Sequence, residues 1–261
     1  MRPYIPGEAK LLRVRLLRWL RDLRSGERFA AERREASGFP FEWSRYRRPF
    51  IDYPGQEELG EAKRHNQSLL ASALNGTVIE PGECLSVWKM AGRPTRAKGY
   101  REAAALKSGE LTTDVGGAIC LLSTVLYNSA LMAGMEIRER KCHSVDSYGD
   151  RRYFELGRDA AIEYGYTDLR FRNSHTAMMR LDVSVLPDAI ECALFSTVPA
   201  SFAIELAVSQ PELLAGREDG WRRFRVRTRR RITREGSSHQ EDLGESIYRI
   251  PAELEPDWPQ L

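Results

Sequence analysis

The 261 residues are 42% hydrophobic and 30% charged, with a formal net charge of +3 at neutral pH. That balance excludes a disordered chain, because enough apolar surface is present to offset the entropy of folding, and the small surplus of charge does not advertise a nucleic-acid partner. No apolar run approaches the ~20 residues that cross a bilayer, and no apolar signal core follows the first residues, so a cytoplasmic protein, or one on the inner face of the cytoplasmic membrane, is expected.

Charge is unevenly spread. Thirteen basic and six acidic side chains precede residue 49, so the rest of the chain is net acidic. Between residues 9 and 24, Leu12, Leu16, Trp19, Leu20 and Leu23 recur at helical spacing beside Arg13, Arg15, Arg18, Arg21 and Arg24. A basic amphipathic helix is the expectation. Most such helices bury their apolar stripe on their own domain; the second reading is adsorption to an anionic membrane surface. Residues 38–40 and 49–55 read as connecting loop. A second helix is expected from Glu57 to Leu74, closed by Asn75-Gly76, and Thr77 to Ile79 form a short strand entering the Glu80-Pro81-Gly82 turn.

Leu121 to Ala133 read as a buried helix closed by Gly134, followed by a strand toward His143. Past residue 160 the apolar period becomes two. Ile162, Tyr164 and Tyr166 alternate, then Leu169 and Phe171, then Leu181, Val183 and Val185 before a Pro187-Asp188 turn, then Ile190, Cys192 and Leu194. Phe202 to Val208 and Phe224 to Thr228 continue the pattern, with Arg225, Arg227 and Arg229 opposite. Eight basic residues lie between Arg222 and Arg234. Their alternation indicates an exposed sheet face, and no aromatic RNA-binding signature accompanies them, so no nucleic-acid partner is expected. Helices first and an antiparallel meander afterwards give an α+β fold. Three parts are expected: a basic helical segment over 1–53, a core domain over 54–210, and a basic strand with a proline-bearing, frayed tail over 211–261.

Four widely spaced cysteines form no CxxC pair, which suits reduced thiols, and no metal-ligand spacing or cofactor motif is present, so neither is expected. Cys120 stands where Gly116-Gly117-Ala118-Ile119 enters the buried helix. Unpaired N–H groups and the positive dipole end favour a thiolate at such a place. The glycines Gly116 and Gly117 would let the backbone approach a substrate and offer N–H groups to an oxyanion. His143 lies one strand downstream as a proton-transfer partner, and Asp159 or Asp168 would orient the imidazole, with Asn173 as a further polar candidate. The opposing reading is that Cys120 is an inert buried hydrophobe and its pairing with a histidine a coincidence.

Several stretches together resemble the VanW family. They run from Asn75-Gly76-Thr77 through Pro81-Gly82-Glu83 and Ser86, Gly99-Tyr100, Gly116-Gly117 to Cys120, and Leu126-Tyr127-Asn128. His143-Ser144, Gly157-Arg158-Asp159-Ala160 and Tyr166 through Asn173 complete the set. Some VanW-domain proteins are regarded as cysteine-dependent L,D-transpeptidases of peptidoglycan. The resemblance therefore implies Cys120 as nucleophile and His143 as base, with Asp159 and Asp168 as acids and Gly116, Gly117, Ser144, Tyr127, Asn128 and Asn173 toward a substrate. The implied partner is a peptidoglycan stem peptide or a lipid-linked precursor. Two departures stand out: Ala118 where the family usually has a third glycine, and Leu121 where it usually has glutamine. A precursor-binding or glycopeptide-resistance accessory module without chemistry is the alternative.

Overall fold

The computed structural model describes residues 7–51, 57–107, 110–146, 152–218 and 220–251. All but the first residue of the expected frayed tail lies outside these. In chain order the elements are α1 (Gly7–Ser25), β1 (Phe41–Pro49), α2 (Glu57–Leu74), β2 (Val78–Ile79), β3 (Cys84–Ser86), α3 (Val87–Ala91), β4 (Glu102–Lys107), β5 (Glu110–Val115) and α4 (Cys120–Met132). Then come β6 (Glu136–Glu139), β7 (Arg170–Arg172), β8 (Met179–Val185), β9 (Ala189–Ser196), β10 (Phe202–Val208), β11 (Glu212–Glu218), β12 (Trp221–Arg234) and β13 (Ser237–Pro251). The fold is α+β, and every pairing between these strands is antiparallel.

One four-stranded sheet has the order β1-β9-β8-β2. Helix α4 lies against β1 and β9, and α2 against β8. Both helices bury Leu and Ala side chains in one core, and α4 is apolar nearly all round, which is the composition of a helix covered on every side. Strand β1 carries so many charges that its pattern is hidden; as an edge strand ending in Pro49 it needs only one paired side. The expected strand over Ile162, Tyr164 and Tyr166 does not form. Gly165 adopts a left-handed φ of 84°, and the chain turns there with only an isolated bridge between Glu163 and Thr167.

A second sheet pairs β12 with β10 and β11 on one edge and β13 on the other. The arginine run finds its counter-charges here: Arg230 stands opposite Glu241, Arg229 opposite Asp242 and Arg227 opposite Glu245. Phe224, Val226, Thr228 and Ile232 face inward while Arg227, Arg229 and Arg231 are exposed, as the alternation requires. Arg230 breaks the expectation of an all-outward arginine face. It is 2% exposed, in phase with the apolar residues, and donates to the Leu131 and Met135 carbonyls at 3.1 and 2.9 Å and to Glu241 at 2.6 Å. It thus adds a charged donor to the Leu131 carbonyl, which also accepts the Gly134 N–H at 3.1 Å, binds the Met135 carbonyl just past the helix, and fixes the second sheet to the end of α4.

Helix α1 forms as expected but does not bury its apolar stripe. The domain grips it through Leu11, Arg18 and Asp22: Arg18 meets Glu139 at 2.7 Å, and Asp22 meets Arg170 at 2.6 Å and Lys89 at 3.0 Å. Leu12, Leu16, Trp19 and Leu23 face outward.

Two arginines of β12 should therefore respond differently to substitution. Arg230→Met, which removes the buried donors to the Leu131 and Met135 carbonyls and the partner of Glu241, is expected to lower stability by roughly 2 kcal/mol, whereas Arg227→Gln, which loses only exposed ion pairs, should change it by less than about 1 kcal/mol; urea unfolding midpoints read the difference.

Candidate functional site

Cys120 is the first residue of α4 and half-buried, and its thiol lies 3.8 Å from the Ile162 carbonyl oxygen. The loop before it is held tightly. A Cβ on Gly117 would overlap the Ala103 carbonyl of β4, so only glycine fits. On α2, Asn66 donates to the Arg101 and Gly117 carbonyls at 2.9 and 3.1 Å, and Gln67 to the Ala118 carbonyl at 2.7 Å. Ala118 itself is left-handed, with φ 62°, a conformation that strains a residue with a Cβ and suits glycine. That is where the resemblance to the VanW family leads one to expect a third glycine.

The expected role of the two glycines is corrected. The Gly116 N–H donates to the Arg101 carbonyl and the Gly117 N–H to the Asp114 carbonyl, each at 3.0 Å. Neither is available to an oxyanion; the glycines serve the close approach of backbones. The N–H groups of Leu122 and Ser123 both turn back to the Ile119 carbonyl. Those of Cys120 and Leu121 come before the first intrahelical acceptor.

His143 follows β6 and lies buried, with its ring hydrogen-bonded on Nδ1 to Asp159 Oδ2 at 2.6 Å and close enough to Cys120 for that side chain to act on its charge. The Tyr153 hydroxyl reaches Nε2 at 2.9 Å, and the Phe154 ring stacks on the imidazole with centroids 5.0 Å apart. Asp159 is fully enclosed. Its carboxylate also accepts from the His143 backbone N–H at 2.6 Å, from Arg140 at 2.7 Å and from the Tyr248 hydroxyl at 2.5 Å. Arg140 in turn donates to Ser246 of β13 at 2.6 Å.

These surroundings decide the charges. Burial opposes the ionised Asp159, but the His143 and Arg140 partners outweigh it and hold the carboxyl below its ordinary value. Burial likewise opposes imidazolium, yet the ring's hydrogen bond to the Asp159 carboxylate, with Cys120 beside it, raises His143 from 6.5 to about 10. Burial pushes the thiols of Cys84 and Cys142 up and that of Cys192 to about 12. Cys120 is the cysteine set beside an imidazole.

Asp168, the other acid named from sequence, is not at the histidine. It accepts from Ser86 Oγ at 2.6 Å, from the Trp88 N–H at 3.2 Å and from Arg170 at 2.9 Å, in the network that anchors α1. Tyr127, Asn128 and Asn173 are interior as well. Arg140 stacks over the Tyr127 ring at 5.2 Å, Asn128 binds Arg158, and Asn173 bonds the Ile79 and Ala177 carbonyls. They brace the fold and present no polar group to a ligand. Ser144 is exposed, with its carbonyl paired to the Arg249 N–H at 2.9 Å. Arg140, Tyr153 and Tyr248 were missed from sequence. Arg140 lies only three residues before His143, but Tyr248 is far along the chain and carries no local signal.

A family model described as "VanW like protein" matches residues 62–195, just over half of the chain. The chain belongs to the VanW family. It is 37% identical over 115 residues to the uncharacterized protein YoaR of Bacillus subtilis (strain 168), spanning 44% of this chain and 37% of that one. It is 31% identical over 137 residues to the vancomycin B-type resistance protein VanW of Enterococcus faecalis (strain ATCC 700802 / V583), spanning 52% of this chain and 50% of that one. The matches thus span half or less of the length of these relatives. No solved structure matches it. The VanW match contains Cys120, His143 and Asp159, while Tyr248 and Ser246, which complete the environment of Asp159, lie beyond it.

Because the folded His143 titrates above its ordinary value, its contribution to stability is whole below pH 6.5 and is lost as pH rises through about 10. Thermal unfolding of the wild type should therefore weaken across that interval, and His143→Gln should flatten the dependence. Ala118→Gly should raise stability by up to about 1 kcal/mol, since relief of the left-handed strain exceeds the added freedom of the unfolded chain.

Proposed function

We propose that the chain is a cysteine-dependent acyltransferase acting on peptidoglycan or its precursor peptides. The observation that carries this reading is the buried His143–Asp159 pair, coupled electrostatically to Cys120 at the start of a buried helix, with the carboxylate itself held by Arg140 and Tyr248. The substrate class is taken from the VanW relationship and from the resistance protein among the relatives.

In the reaction Cys120 Sγ attacks the donor acyl carbon, and the carbonyl electron pair moves to oxygen. The Cys120 and Leu121 N–H groups at the start of α4 are the donors positioned for that charge, in place of the glycines. The C–N bond then breaks, and the amine leaves with the proton carried by His143. The product is a thioester on Cys120. An acceptor amine gives its proton to His143, attacks the thioester and releases the sulfur, restoring the starting state. Asp159 keeps Nδ1 engaged throughout, which leaves Nε2, beside the Tyr153 hydroxyl at 2.9 Å, as the nitrogen that gives and takes the proton. Leu121, buried in the core, provides no side-chain amide for substrate, so orientation falls to other groups around the thiol.

Iodoacetamide at neutral pH is expected to label Cys120 in the native protein, with labelling about a hundredfold slower in His143→Ala and lost in Cys120→Ser. Incubation with a stem peptide should leave an acyl adduct on Cys120, detected by mass spectrometry as a thioester cleaved by hydroxylamine. Modification of Cys120 only in denaturant, or a folded Cys120→Ser variant that still transfers the acyl group, would defeat the proposal.

A further inference from the structure

The outward stripe of α1 is not accounted for by the site. Leu12, Leu16, Trp19 and Leu23 are 61%, 55%, 55% and 64% exposed, at spacings of four, three and four residues, so they form one continuous apolar ridge along the helix. An amphipathic helix that serves only its own domain turns such a ridge inward. Here the domain holds the helix by its polar flank instead. Asp22 is buried against Arg170 and Lys89, Arg18 pairs with Glu139, and Leu11 packs against Gly165. These contacts fix the helix with the ridge facing away.

The charge beside the ridge selects what covers it. Both acids of α1 are turned to the domain, Glu8 to Arg93 at 3.0 Å and Asp22 to Arg170, whereas Lys10, Arg13, Arg21 and Arg24 are exposed. A second copy laid ridge to ridge would bring two cationic flanks together, but a lipid surface with anionic headgroups offers both the apolar layer and the opposite charge. No helix of the described residues is long and apolar enough to cross a membrane. We infer that α1 is an interfacial helix that docks the folded domain on an anionic membrane, with Leu12, Leu16, Trp19 and Leu23 in the acyl boundary and Lys10, Arg13, Arg21 and Arg24 among the headgroups.

The domain side of α1 meets the segment that also touches the site. The segment carrying Ile162, whose carbonyl meets Cys120, continues to Tyr164, which lies under Arg15 at 5.4 Å, and to Tyr166, whose carbonyl accepts from Arg18 at 3.3 Å. The inference does not require that Cys120 transfer an acyl group.

The full chain is tested by sedimentation with vesicles of phosphatidylglycerol and phosphatidylethanolamine, and with vesicles of phosphatidylcholine alone. Binding is expected to the anionic vesicles, weaker by about tenfold or more on the neutral ones and in high salt. Leu16→Asp/Leu23→Asp should keep the circular dichroism and unfolding temperature of the wild type and reduce vesicle binding by about tenfold or more. Failure to bind anionic vesicles, or binding untouched by that double substitution, overturns the inference. So does a lipid-free dimer that the substitution dissociates, since a second copy would then be the cover. Cys120→Ser, which should bind vesicles like the wild type, separates this outcome from the acyl-transfer reading.

Discussion

A buried carboxylate is tolerable only when every acceptor position is met by a donor, and Asp159 is the residue on which that constraint falls hardest. Four donors converge on it: the His143 backbone N–H, the His143 ring, Arg140 and the Tyr248 hydroxyl. They come from the stretch after β6 and from β13, so the demand of one charge joins the helical core to the C-terminal sheet. The same demand orients the imidazole. With Nδ1 taken by Asp159 and the ring stacked on Phe154, the histidine turns Nε2 to the Tyr153 hydroxyl, and Cys120 acts on the charge of the same ring.

A second buried ionic group does the corresponding work for α1. Arg170 lies between Asp168 and Asp22, and burial, which alone would favour its neutral form, is outweighed by the two carboxylates that keep it charged. The helix is thereby fixed mainly through charge, with Leu11 buried against Gly165 but the ridge leucines left outside, the reverse of ordinary helix packing. One arrangement sets the proton chemistry beside the thiol, and the other sets which face the molecule shows to its surroundings. Between them runs the 160–168 segment, in contact with both.

The loop ahead of α4 shows how a sequence pattern can be right in position and wrong in reason. Gly116 and Gly117 mark the approach to Cys120, but Gly117 is required by the Ala103 carbonyl, and both N–H groups are committed to neighbouring backbone. Ala118 retains the left-handed backbone that a glycine would adopt freely, held there in part by the Gln67 bond to its carbonyl. Asp168 misled for a similar reason: it has the same separation-by-strand relation to His143 as Asp159, and only packing shows that Ser86 and Arg170 claim it.

The linear chain by itself determined the α+β class, the span of α1 and α2, the placement of Cys120 at a helix start, the inward and outward phases of β12, and membership of the VanW family, because each rests on local periodicity, glycine stops or ordered motifs. It also named His143 and Asp159, though not which of two acids would serve. Tertiary structure decided that choice, recruited Arg140, Tyr153 and Tyr248, sent Arg230 inward to the end of α4, and turned the ridge of α1 outward. All of these depend on which distant groups compete for one buried charge or one open hydrogen bond, and sequence spacing carries no record of such competition.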